Sequence, residues 1–80
     1  MLNILRLPAI LKVRGKSRSS HYNDIKAGLY VRPVRIGKRA AGTPDNEVSL
    51  LNAATIAGKS DDEIRQLVAK LEAARQELQS

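Results

Sequence analysis

Glycine and proline divide this chain at short intervals, and that punctuation leaves room only for small elements. Pro8, Gly15, Gly28, Pro33, Gly37, Pro44 and Gly58 are residues that start helices, end them or open turns. Pro8 suits the first turn of a helix, where its missing N–H is harmless, and Gly15 suits a left-handed cap. A helix is therefore expected over Pro8–Arg14, with Ile10, Leu11 and Val13 on its apolar side. The lead-in Leu2–Leu7 is either a small strand or an extended arm. Ser17 is placed to cap a second helix, Arg18–Ala27, which Gly28 ends. Two short helices around a Gly-containing turn make the helix-turn-helix pattern.

Helix signals vanish after Gly28. Tyr30–Ile36 is rich in β-formers and alternates apolar with basic residues from Val34 on. With Gly37-Lys38 as the turn, Arg39–Thr43 is expected to return as the second strand of a small hairpin. Two strands alone are marginal in water, so the hairpin must lean on the helices. Thr43 is expected to cap a third helix whose first turn holds Asp45 and Glu47 and whose apolar surface comes from Val48, Leu50, Leu51, Ala54 and Ala57. After Gly58, Ser60 and Glu63 have the spacing of a capping box. Beyond them Ile64, Leu67, Val68, Leu71, Ala74 and Leu78 fall on one arc of a last, amphipathic helix, with Arg75 inside that arc. This helix is expected either to pack on its own domain or to pair with a second copy.

Eighty residues hold one small core, burying about 60% of the unfolded surface. Ten Leu, six Ile, five Val and ten Ala supply an aliphatic core and argue against wholesale disorder. The absence of Cys removes a disulfide scaffold, a thiolate zinc site and a cysteine nucleophile. No apolar run is long enough for a membrane span, and Met1–Lys16 lacks the continuous apolar stretch of a signal peptide. A cytoplasmic protein is expected. The single His21, with no second His and no paired carboxylate in the basic half, reads as a partly buried packing residue rather than a metal ligand or catalytic base. The acids read as caps and helix-surface charges, and Gly37-Lys38 lacks the rest of a phosphate-cradling loop. No enzymatic activity, no metal and no cofactor are therefore expected.

Charge narrows the partner. Residues 1–42 carry ten basic groups and one acid, a net +9, while residues 43–80 carry four basic groups and seven acids, a net −3, which together give the +6 of the chain. Cations concentrated in one half are the electrostatic footprint of a polyanion binder. A membrane-surface helix would need large apolar anchors, and this half is broken by Pro and Gly instead. Nucleic acid is the expected partner.

A set of spaced motifs sharpens this. Leu5-Arg6-Leu7-Pro8, Gly15, Ser17-Arg18-Ser19, Tyr22, Ile25-Lys26-Ala27-Gly28, Pro33-Val34-Arg35-Ile36-Gly37, Arg39-Ala40-Ala41-Gly42, Pro44 and Glu47-Val48 resemble the AlpA family of prophage-encoded DNA-binding regulators. That family is related to excisionases and MerR-type winged helices. The resemblance spans about residues 4–57. It implies a helix-turn-helix over Gly15–Ile25, a β wing over Pro33–Gly42 and a role in transcription regulation. The fold expected is mostly α with a small β-hairpin: a winged helix-turn-helix over 1–57, followed by the amphipathic helix of 58–80.

On a helical wheel of the second helix, Ser19, Tyr22, Asn23 and Lys26 fall within one 100° sector, with His21 and Ile25 roughly opposite. Such a face suits a helix lying in the major groove, its N-terminal turns toward base edges. Asn23 has the geometry to read adenine, and Arg18 or Lys26 to read guanine or grip phosphate. The wing cations Arg35, Lys38 and Arg39 are expected on the adjacent backbone or minor groove. The candidate DNA-binding set is thus Ser17, Arg18, Ser19, Tyr22, Asn23, Lys26, Arg35, Lys38 and Arg39. The expected partners are double-stranded DNA, further copies of the chain on that DNA, and an integrase or other phage regulator. An excisionase-like architectural role is the nearest alternative. An RNA-binding protein and a pure protein-interaction module built on Ile64–Leu78 follow, the former weakened by the scarcity of stacking aromatics.

Overall fold

A computed structural model describes residues 3–77. The chain is mostly helical with a small antiparallel sheet, in the order β1 (Ile4–Leu5), α1 (Leu7–Arg14), α2 (Arg18–Lys26), β2 (Val34–Arg35), β3 (Ala41–Pro44), α3 (Asp45–Ile56) and α4 (Asp61–Glu77). Local chemistry sets most boundaries. Pro8 sits in the first turn of α1, and Gly15 closes it at φ 68° with its N–H on the Leu11 carbonyl. The Ser17 hydroxyl accepts from the Ser20 N–H to cap α2, and Gly28 follows it at φ 78°. Ser60 and Glu63 exchange hydrogen bonds at the start of α4, as a capping box requires.

The sheet has three strands where the sequence predicts a two-stranded hairpin. The lead-in forms β1 and pairs with β3, Ile4 opposite Pro44 and Leu5 opposite Thr43. On the other side of β3, Val34 lies opposite Gly42 and Arg35 opposite Ala41, giving the order β1-β3-β2. The expected strand Tyr30–Ile36 shrinks to Val34–Arg35. Pro33 has no N–H to offer a ladder, and Tyr30 and Val31 turn into the core instead. The second strand also starts later than expected, because Arg39 and Ala40 belong to a turn closed by the Ile36 N–H on the Ala40 carbonyl.

Thr43 is not the cap of α3. It is buried in β3, still extended and paired with Leu5, and Pro44 takes the cap position. The orphan N–H of Asp45 is satisfied by the Asn3 carbonyl at 2.7 Å, so the residue just before β1 performs the capping.

The core gathers Ile10, Tyr30, Val31, Val48, Leu51 and Val68, with Leu5, Ile25, Ile64, Leu67 and Leu71 against it. The last helix thus packs intramolecularly on the rest. Ala74 is exposed, and Leu78 lies outside the described residues. Leu50 and Ala57, expected on the inner face of α3, are exposed as well, because α3 turns Glu47, Val48 and Leu51 inward. Glu47 is only 3% exposed, against its expected place on the helix surface. Arg75 from α4 grips it with two hydrogen bonds, Nε to Oε2 at 2.9 Å and Nη2 to Oε1 at 2.5 Å. The cation in the apolar arc of α4 is therefore the partner of a buried acid.

Two further polar ties run from α4 to the segment joining α2 to β2. Arg65 Nε donates to the Ala27 carbonyl at the end of α2, and the Glu72 carboxylate accepts the Arg32 N–H. No helix among the described residues is long and apolar enough to cross a membrane.

Candidate nucleic-acid interface

Helix α2 is oriented by a cluster at its inner face. His21 is 3% exposed. Its ring meets Tyr30 edge-on at 5.0 Å between centroids and Tyr22 at 5.7 Å. Arg14, on α1, lies over the Tyr30 ring with its guanidinium carbon 3.9 Å from the centroid. The same guanidinium donates to Asp24 Oδ2 at 2.7 Å and to His21 Nδ1 at 2.8 Å. Guanidinium has donors only, so Nδ1 accepts, and the neutral imidazole carries its proton on Nε2. Burial first, and the adjacent Arg14 and Lys16 second, pull the His21 pKa below its ordinary value, against an opposing pull from Asp24. Burial pushes the Asp24 carboxyl up, but hydrogen bonds from Lys16 and Arg14 outweigh it and hold the carboxyl below the usual range. The Tyr30 hydroxyl, buried without a hydrogen-bond partner, is pushed up to about 12 by burial and by Glu47, with Arg14 pulling the other way.

With His21 and Ile25 turned inward, the opposite face of α2 is open. Ser19, Tyr22, Asn23 and Lys26 are all exposed, as are Arg18 and the cap Ser17. Tyr22 is 46% exposed despite its contact with His21. The hairpin cations behave alike: Arg35 on the edge strand β2, and Lys38 and Arg39 in the turn, are solvent-facing. Every residue in the predicted set is thus at the surface, although the Ser17 hydroxyl is engaged in capping.

The start of α1, helix α2 and the root of the hairpin together line one cavity of about 420 Å³, with Leu7 from α1, Tyr22 and Ile25 from α2, and Pro33, Ala41 and Gly42 from the hairpin root. Of the open face of α2, Tyr22 lines this cavity beside the root of the hairpin.

Pairing separates the cations into two groups. Arg14 and Lys16 are bound to Asp24, and Arg32 to Glu72. In the acidic half, Lys59, Arg65 and Arg75 pair with Glu63, Asp62 and Glu47. Among the described residues, the cations outside any ion pair are Arg6, Lys12, Arg18, Lys26, Arg35, Lys38, Arg39 and, on α4, Lys70. Seven of these eight belong to residues 1–42, and five of the seven are in the predicted contact set. Sequence reasoning missed Arg14, Asp24 and Tyr30 as the group that positions α2. The i, i+10 spacing of Arg14 and Asp24 across a helix turn carries no periodic signal. It also missed Arg6, which reaches the cavity rim.

No group of three or more metal-ligating side chains occurs among the described residues. No protein-family model matches this chain, and neither a curated protein nor a solved structure matches it.

Proposed function

We propose that this chain is a sequence-specific double-stranded DNA-binding protein without enzymatic activity, a transcription regulator of the winged helix-turn-helix kind resembling the AlpA family. In this reading α2 enters the major groove with Asn23 and Lys26 toward base edges and Arg18 near phosphate. The hairpin carries Arg35, Lys38 and Arg39 to the flanking backbone or minor groove. The observation that carries the reading is the sorting of charge. Among the described residues, the basic half keeps seven cations outside any ion pair, while the acidic half keeps Lys70 alone. A cation left unpaired in a folded protein is available to displace counterions from phosphate.

Selection from a random duplex library, followed by anisotropy titration of the enriched site, tests it. Asn23→Ala is expected to relax preference at a single base pair, losing about 1–3 kcal/mol of discrimination there. Failure to enrich any duplex, or displacement of the duplex by single-stranded RNA at equal concentration, overturns the proposal.

A further inference from the structure

The cavity lined by the start of α1, by α2 and by the hairpin root holds more chemistry than DNA contact asks of it. Its volume of about 420 Å³ is in the range of small-molecule pockets, roughly 300–1,000 Å³. Leu7, Ile25 and Pro33 give it apolar walls. Two polar side chains in its lining are almost wholly buried, His21 at 3% and Thr43 at 2% exposure. His21 Nδ1 is held by Arg14, so Nε2–H is the ring's remaining donor, and neither it nor the Thr43 hydroxyl has a hydrogen-bond partner among the described residues. Neither atom is sealed from solvent, for the Tyr30 hydroxyl alone is both sealed and unpartnered among those residues. Buried polar groups ordinarily find partners, and two such groups in the lining of one apolar cavity make a built site. Arg6, exposed and outside any ion pair among the described residues, adds a cation at the rim.

We propose that this cavity binds a small aromatic carboxylate of one or two fused rings, its ring between the apolar walls, its carboxylate taking hydrogen bonds from His21 Nε2–H and the Thr43 hydroxyl and facing the Arg6 guanidinium. A planar ring matches walls of aliphatic side chains and proline, and an anion matches two donors and a cation with no acid in the lining. The site stands on the cavity alone and does not depend on the DNA reading.

Titration of the full chain with 1-naphthoate, followed by amide and imidazole nitrogen chemical shifts, tests the proposal without DNA. Saturable shifts are expected at Tyr22, Ile25 and Thr43 and at His21 Nε2, with sub-millimolar affinity. The neutral analogue 1-naphthalenemethanol, and naphthoate on the exposed-site variant Arg6→Gln, are each expected to bind about tenfold more weakly, the loss of one charge-assisted contact. Shifts that do not saturate in the millimolar range overturn the site. So do shifts confined to exposed cations such as Lys38 and Arg39, or equal affinity for the acid and the alcohol.

Discussion

Asp24 is the one acid of the basic half, and it is spent on holding α2 against α1 rather than on lowering the surface charge. It accepts from Arg14 and Lys16, while Arg14 also covers Tyr30 and donates to His21. This arrangement has a pH signature. The His21 pKa lies below its ordinary value of 6.5, so between the two values the unfolded chain binds more protons than the folded one. Stability therefore rises with pH across that window and falls as pH drops below about 6.5. Asp24 acts lower: its folded pKa lies below 3.8, so its contribution is present above that value and lost as pH falls through the folded one. His21→Gln, which keeps an acceptor for Arg14 but does not titrate, is expected to flatten the loss of urea midpoint between pH 7 and the acid side of the His window. An unchanged pH profile in that variant refutes the role given to His21. The burial of His21 was legible from its lone place opposite the polar face of α2. Its partner Arg14 was not, since a residue on another helix becomes a neighbour only through the inter-helix angle.

At the scale of elements, strand β1 shows where local signals stop. Helix limits in this chain are set by groups within a few residues of one another, the Gly15 cap, the Ser17 cap and the Ser60–Glu63 box, and each was readable from sequence. Strand pairing is non-local: Leu5 meets Thr43 across thirty-odd positions, and nothing in the spacing of either segment names the other. The cap of α3 was misread for the same reason, since the atom that satisfies it is the Asn3 carbonyl. On the site, the open face of α2 was legible because helical period and burial agree there, whereas the cavity beside it is made jointly by α1, α2 and β3. The contact of β1 with β3 leaves no room at Gly42. A Cβ there would stand 2.5 Å from Ile4 Cγ2 and 2.7 Å from the Leu5 carbonyl oxygen, and the second of these is backbone that cannot swing aside. Gly42→Ala is expected to cost about 1–3 kcal/mol by urea denaturation and to speed hydrogen exchange at the Asp45 N–H, which donates to the carbonyl of Asn3, the residue leading into β1. Wild-type exchange there would show that β1 does not hold the end of α3.

For the whole molecule, α4 is what joins the acidic half to the basic one. Val68 completes the core, and Arg75 neutralises the buried Glu47. Removing one partner of such a pair costs about 3–5 kcal/mol, whereas replacing both by apolar groups costs far less. Arg75→Ala is thus expected to lose that much by urea denaturation, and Arg75→Leu combined with Glu47→Leu to recover most of it. A double variant no more stable than Arg75→Ala would mean that the pair is not desolvated. Pairing has a second consequence, for it fixes which charges stay free at the surface for the proposed duplex contact. With Asp24 holding Arg14 and Lys16, and Glu72 holding Arg32, seven of the ten cations of the basic half stay outside any ion pair among the described residues. Counterion release then bounds the salt dependence of duplex binding at a log–log slope of about −6 per bound copy, near 0.9 for each phosphate neutralised. Lys38→Ala is expected to weaken all duplex sequences alike and to reduce that slope by about 1. Lys70, likewise outside any ion pair among the described residues but borne on α4 in the acidic half, is the internal control: Lys70→Ala is expected to leave the slope unchanged in the same anisotropy titrations. Equal losses at Lys38 and Lys70 would mean that DNA responds to net charge and not to the α2 and hairpin surface.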